Sequence, residues 1–153
     1  LDRRWWGWHG ANVQARGALG VSTLRTTTSI PPGFSGKIME KVRTPAFVPE
    51  RWKLAGISSG QAALHLAMHA GAQTIYLAGF DLTFRDGKTH WHEGHVVPSS
   101  ESNYRQRFRP AMEEIVKEGW KRGHSIYAIT PCEANIPMED FGAALQRLDE
   151  DHG

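Results

Sequence analysis

The stretch that decides the fold is Lys53–Asp81, KLAGISSGQAALHLAMHAGAQTIYLAGFD. Lys53–Ile57 is a short apolar approach, and Ser58, Ser59 and Gly60 follow it as a tight turn. Gln61 to Ala70 is dominated by strong helix formers, and Gly71 closes the helix. Thr74–Gly79 (TIYLAG) is a continuous β-branched and apolar run of the kind found in a strand covered on both faces. Strand, turn, helix and strand in this order imply a right-handed crossover between parallel strands.

Reading outward toward the C-terminus, Arg85–Ser102 is a polar, histidine-rich loop. Tyr104, Phe108, Met112, Ile115 and Val116 recur at approximate helical spacing, and Pro110 predicts either a kink or the true start of that helix. Gly123 ends it, Ser125–Ile129 reads as a second buried strand, and Thr130–Pro131 breaks out into a loop. A last amphipathic helix is expected from about Met138 to Leu148, with a frayed tail at 149–153. Reading toward the N-terminus, Val21–Thr28 alternates like a strand and Pro31–Gly36 is a loop. Lys37–Arg51 contains Pro45 and Pro49 and no surviving period, so it reads as irregular chain or a short strand with a loop. Trp5, Trp6 and Trp8, beside Arg3 and Arg4, read as cover for the rim of the core, or else as a stacking wall for a base or sugar.

The expectation is therefore an α/β fold, a three-layer Rossmann-like domain around a mostly parallel sheet, filling residues 1–148 as a single unit. A chain of 153 residues is the right size for one core. Hydrophobic residues at 40% and charged residues at 22% exclude disordered and fibrous classes, and no apolar run reaches a membrane span. A net charge of +2 argues against nucleic acid as a partner, and a single cysteine, Cys132, fits a reducing cytoplasmic setting. The chain opens at Leu1 without a methionine, so a piece of something longer is expected.

In parallel α/β sheets ligands bind beyond the carboxyl ends of the strands. Three segments fall there: Ser58–Ser59–Gly60, Asp81 with the loop after it, and Thr130–Pro131–Cys132. A helix that starts at the first leaves main-chain amides unpaired and carries positive partial charge, which suits a phosphate or carboxylate, although Ser58 or Ser59 could equally be a plain N-cap. The second leads into GKTHWHEGH, Gly87–His95, where His90, His92 and His95 fall within six residues. One chemistry for this loop is a general base, His95 or His92, with Asp81 or Glu93 orienting the ring. The other is a metal site on His90, His92 and His95, and a solvated loop is the bland alternative. His65 and His69 lie four apart and read as a polar helix edge. Cys132 reads as a packing residue, and Arg105, Arg107 and Arg109 as solvated surface.

SSGQAALHLAMHAGAQTIYLAGFDL, then GKTHWHEGH, then TPCEANIPMEDF resembles a set of phage and prophage Rossmann-like proteins, some labelled norphogenetic. These are similar in turn to a domain of motility-associated glycosyltransfer factors, to archaeal 6-hydroxymethylpterin pyrophosphokinase, and remotely to bacterial sialyltransferases that use CMP-sialic acid. The resemblance covers Lys53 to about Phe141. It implies that Ser58, Ser59 and Gly60 lie against the donor's phosphate or sugar, that Asp81 ends the central strand, and that Thr130 and Pro131 border the nucleotide. Gly94–His95 occupies the place of the Gly–His pair that supplies the sialyltransferase base. The family's N-terminal strand and its G-x-G-P-S loop do not occur in this chain, which implies the C-terminal part of a longer Rossmann-like domain. The function expected is transfer from a nucleotide-activated, CMP-sugar-like donor, with a divalent metal as an optional cofactor and homo-oligomers as an open state. A non-catalytic phage accessory protein and a metal-dependent hydrolase are the alternatives.

Overall fold

The computed structural model describes residues 21–24, 37–83 and 100–150. Strand β1 (Val21–Leu24) pairs with β2 (Lys37–Val42), and β2 pairs with β3 (Lys53–Ala55). A second sheet joins β4 (Thr74–Leu77) to β5 (Ser125–Ala128). Every ladder among the described strands is parallel, in the orders β1-β2-β3 and β4-β5. Helix α1 (Ser59–His69) links β3 to β4. Before β5 come a short turn α2 (Glu101–Asn103), a π-helical stretch (Tyr104–Phe108) and α3 (Arg109–Lys121); α4 (Phe141–Glu150) closes the described chain. The α/β class and parallel pairing agree with the sequence.

Both long helices stop as their glycines dictate. Gly71, at φ +85°, donates to the Met68 carbonyl while Ala72 donates to that of Ala67. Gly123, at φ +86°, donates to the Trp120 carbonyl while His124 donates to that of Gly119. In each case the 6→1 and 5→2 pair satisfies carbonyls that a helix end leaves orphaned, and only glycine takes the left-handed position without cost. Immediately beyond each stop lies the next strand, so these caps fix where β4 and β5 begin.

One apolar cluster ties the two sheets together. Ala55 of β3, Ile75 and Leu77 of β4, and Ile126 and Ala128 of β5 pack with Leu64 and Met68 of α1 and with Met112, Ile115 and Val116 of α3. Ile115 and Val116 are wholly buried, and each contributes about 1.5–3 kcal/mol relative to an exposed position. Gly119 lets α3 come close: a Cβ there would stand 2.4 Å from Ile126 Cδ1 and 3.0 Å from Met68 Sδ.

Lys37–Arg51, read as irregular chain or a short strand with a loop, takes the second form: β2 ends at Val42, and Pro45 and Pro49 lie beyond it. Two readings are corrected. His65, read as part of a polar helix edge, is fully buried, and His69 is half-buried. The last helix begins at Phe141, after Asp140 whose Oδ1 accepts the Ala143 amide at 3.1 Å; Met138 instead forms an isolated parallel bridge with Ala128. Pro110 stands at the start of α3, directly after the π-helical turn, so both halves of that expectation have a counterpart. No helix among the described residues is long and apolar enough to cross a membrane.

Candidate functional site

The first turn is built by Ser58 and Gln61. Ser58 caps α1: its Oγ accepts the Gln61 amide at 3.2 Å and its carbonyl accepts the Ala62 amide at 3.3 Å. Gln61 is buried, and its Oε1 accepts the Ile57 amide at 2.7 Å while Nε2 donates to the Pro45 carbonyl at 2.9 Å. These bonds consume the Ile57 and Gln61 amides. The Ser59 and Gly60 amides have no acceptor among the described residues, and they point from the positive end of an 11-residue helix. Gly60 has a packing reason of its own, since a Cβ there would lie 2.6 Å from Cε1 of Phe80. The ring of Phe80 thus occupies one side of the turn, and Ser59 remains exposed beside it.

That contact joins the first turn to the second. At the end of β4, Gly79 has φ +72° and donates its amide to Thr130 Oγ1 at 2.9 Å. Two residues on, the Asp81 carbonyl accepts the Glu133 amide at 3.0 Å. Leu82 then adopts φ +52°, the one left-handed residue other than glycine among those described, while its side chain is buried in the core cluster. For a leucine this conformation costs on the order of 1 kcal/mol, and such strain persists where surrounding contacts over-determine the turn. The structure therefore brings Ser58, Ser59, Gly60, Asp81, Thr130 and Pro131 to one end of the strands through linked contacts, Gly60–Phe80, Gly79–Thr130 and Asp81–Glu133. Thr130 Oγ accepts from Gly79 and keeps its own hydrogen to donate.

Beside Asp81 opens a pocket of about 230 Å³ lined by Thr83, Glu101, Tyr104, Arg105, Arg109 and Glu133. Arg109 reaches Glu133 at 3.4 Å, and its buried Nε has no partner among the described residues. The Tyr104 phenol is pushed above its usual range by burial and then by the Asp81 charge, so it stays a neutral donor at ordinary pH. Burial, followed in part by the same carboxylate, also pushes the Cys132 thiol up. Cys132 packs against the core cluster and is a poor nucleophile, as its sequence context suggested.

Sequence reasoning missed Tyr104 and Arg109 as pocket residues. Regular α-helical spacing cannot show what a π-helical turn between Tyr104 and Phe108 does to the wall it forms, and the only available signal was Pro110, which cannot donate to the preceding turn. His90, His92 and His95 lie outside the described residues, as do Trp5, Trp6 and Trp8. Among the described residues no group of three or more His, Cys, Asp or Glu is placed to hold a metal ion. The set can bind an anion at the Ser59 and Gly60 amides. It can also orient a hydroxylated ligand between Tyr104, the two arginines and the two glutamates.

No protein-family model, curated protein or solved structure matches this chain.

Proposed function

We propose that this chain is a phage-type, sialyltransferase-like transferase domain, a Rossmann-like three-layer unit that binds a nucleotide-activated donor at the strand ends. The donor's phosphate sits on the Ser59 and Gly60 amides with Thr130 and Pro131 at its border, and the acceptor enters the pocket beside Tyr104. The acceptor hydroxyl attacks the donor's transferred carbon and the bond from that carbon to the phosphate oxygen breaks. His95, or His92 in its place, takes the hydroxyl proton, while the helix terminus stabilises the departing phosphate.

The observation that carries this reading is the convergence of the three strand-end turns beside a polar pocket. The described residues on either side of the histidine-rich segment support it too, since Thr83 before it and Glu101 after it both line the pocket. A second reading, an accessory protein that binds without turnover, is favoured by the Phe80 ring, which fills the space over Gly60.

Titration of the chain with CMP, UDP and GDP sugars, followed by thermal shift and by release of free nucleotide, tests both. Saturable binding with nucleotide release that is abolished in His95→Gln supports the transferase. Saturable binding without release supports the accessory reading, and the absence of any saturable shift sinks both.

A further inference from the structure

We propose that Phe47, His65, His69 and Arg122 form an acid-operated latch that releases the Phe47–Trp52 segment from α1. His65 is fully buried between that helix and the chain linking β2 to β3. Its Nδ1 lies 2.9 Å from the Ala55 amide and its Nε2 lies 3.3 Å from the Val48 nitrogen. Both amides point at ring nitrogens, but a neutral imidazole has one acceptor nitrogen, and the shorter contact assigns that role to Nδ1 and the Ala55 amide. Phe47 stands edge-on to His65 with ring centroids 4.5 Å apart, His69 lies 4.4 Å from His65 and 5.3 Å from Phe47, and the Arg122 guanidinium sits 3.8 Å over the Phe47 ring.

A second proton on His65 has one place to go. It must sit on Nδ1, where the Ala55 N–H already points, so protonation turns a hydrogen bond into two opposed donors. The charged and titratable groups facing this ring pair are His69 from the same helix, Arg122 from the end of α3 and Arg51 from the released segment. None of them is an anion. Glu50 and Glu118, the carboxylates nearest these residues in sequence, are paired with Lys53 at 3.3 Å and Lys121 at 2.6 Å. Among the described residues the buried Nε2 of His69 has no hydrogen-bond partner. Gln61, which does not titrate, keeps the Pro45 end of the segment in place through its 2.9 Å bond, so the opening hinges there.

Burial above all, and then the His69 charge, holds His65 down at about 4, against a smaller upward push from the Val48 main chain. With the segment released from α1, the same ring has the ordinary value of about 6.5. The closed state therefore binds fewer protons, and its advantage is complete above that pH and shrinks as pH falls from 6.5 toward 4. From these two values the opening equilibrium rises roughly 30-fold between pH 8 and pH 5.

Amide hydrogen exchange of Ala55 in the full chain, corrected for intrinsic rates, reads the latch from pH 7.5 to 4.5. Protection at this amide should fall by roughly 70-fold over this range. His65→Asn presents an oxygen near the position of Nδ1 but cannot gain a charge, so its Ala55 protection should not change with pH. Wild-type protection that survives at pH 4.5, or His65→Asn that loses protection at the same pH as wild type, overturns the proposal. Should His65→Asn fail to fold, the ¹⁵N shifts of the His65 imidazole in the wild type decide it. Titration in step with loss of the Ala55 amide supports the latch, and titration near pH 6.5 with that amide still protected overturns it.

Discussion

Replacing Gly60 by alanine separates a glycine kept for ring packing from one that merely permits a helix start. In a helix, Gly→Ala alone should stabilise by up to ~1 kcal/mol. Here the new methyl would lie 2.6 Å from Phe80 Cε1 and 3.3 Å from Cδ1, against an ordinary contact of 3.4–4 Å, so the ring must retreat by about an ångström. Phe80 is half-buried and packs on the core cluster, and forced repacking of this kind costs roughly 1–3 kcal/mol. The net expectation is a loss of about 1–2 kcal/mol, measured as a lower urea midpoint with an unchanged slope. In a Phe80→Ala background the obstruction is gone, and Gly60→Ala should become neutral or mildly stabilising, giving a coupling of about 1–3 kcal/mol in the double-mutant cycle. Equal costs of Gly60→Ala in both backgrounds would refute the reasoning, because the ring would then have no part in the requirement for glycine.

Three further outcomes are expected. Gly119→Ala should destabilise by about 1–2 kcal/mol despite its helix propensity, since the methyl meets Ile126 Cδ1 at 2.4 Å; Ile126→Val, which removes that atom, should relieve part of the loss in urea melts. Gln61→Leu should cost about 2–4 kcal/mol by chemical denaturation, because the Ile57 amide and the Pro45 carbonyl both lose their partner in a buried place. Global stability should fall on acidification below pH 6.5, with His65 alone contributing a loss of about 2 kcal/mol by pH 5. The sign follows from a folded value near 4 below an unfolded value near 6.5, and a stability flat from pH 7 to pH 5 in both wild type and His65→Asn would contradict it.

What the sequence revealed and what it concealed have physical causes. Lys53–Asp81 was legible because helix formers bounded by Ser58 and Gly71, followed by a β-branched run, agree at every level with a strand–helix–strand unit. The places of Asp81 and Thr130 followed from the rule that sites lie at strand ends, and the hydrogen bond from Gly79 to Thr130 Oγ1 joins the turns that carry them. His65 was misread because a histidine four residues from another looks the same whether the face is wet or dry; its burial depends on the Val48 and Ala55 amides, which come from chain 10 to 17 residues away. The same limit hid Gln61, whose partners at Pro45 and Ile57 no local pattern announces. Nor did local pattern show that Gly60, expected against a donor's phosphate, also leaves the space that the Phe80 ring takes up.

The most direct test of one nucleotide site shared by the three turns is a ¹⁵N NMR titration of the full chain with CMP. The amides of Ser59, Gly60, Gly79 and Thr130, with those of Tyr104 and Arg109, should move along a single saturating curve. Resonances that stay still at these positions, or that saturate only at a distant surface such as α4, would contradict the account.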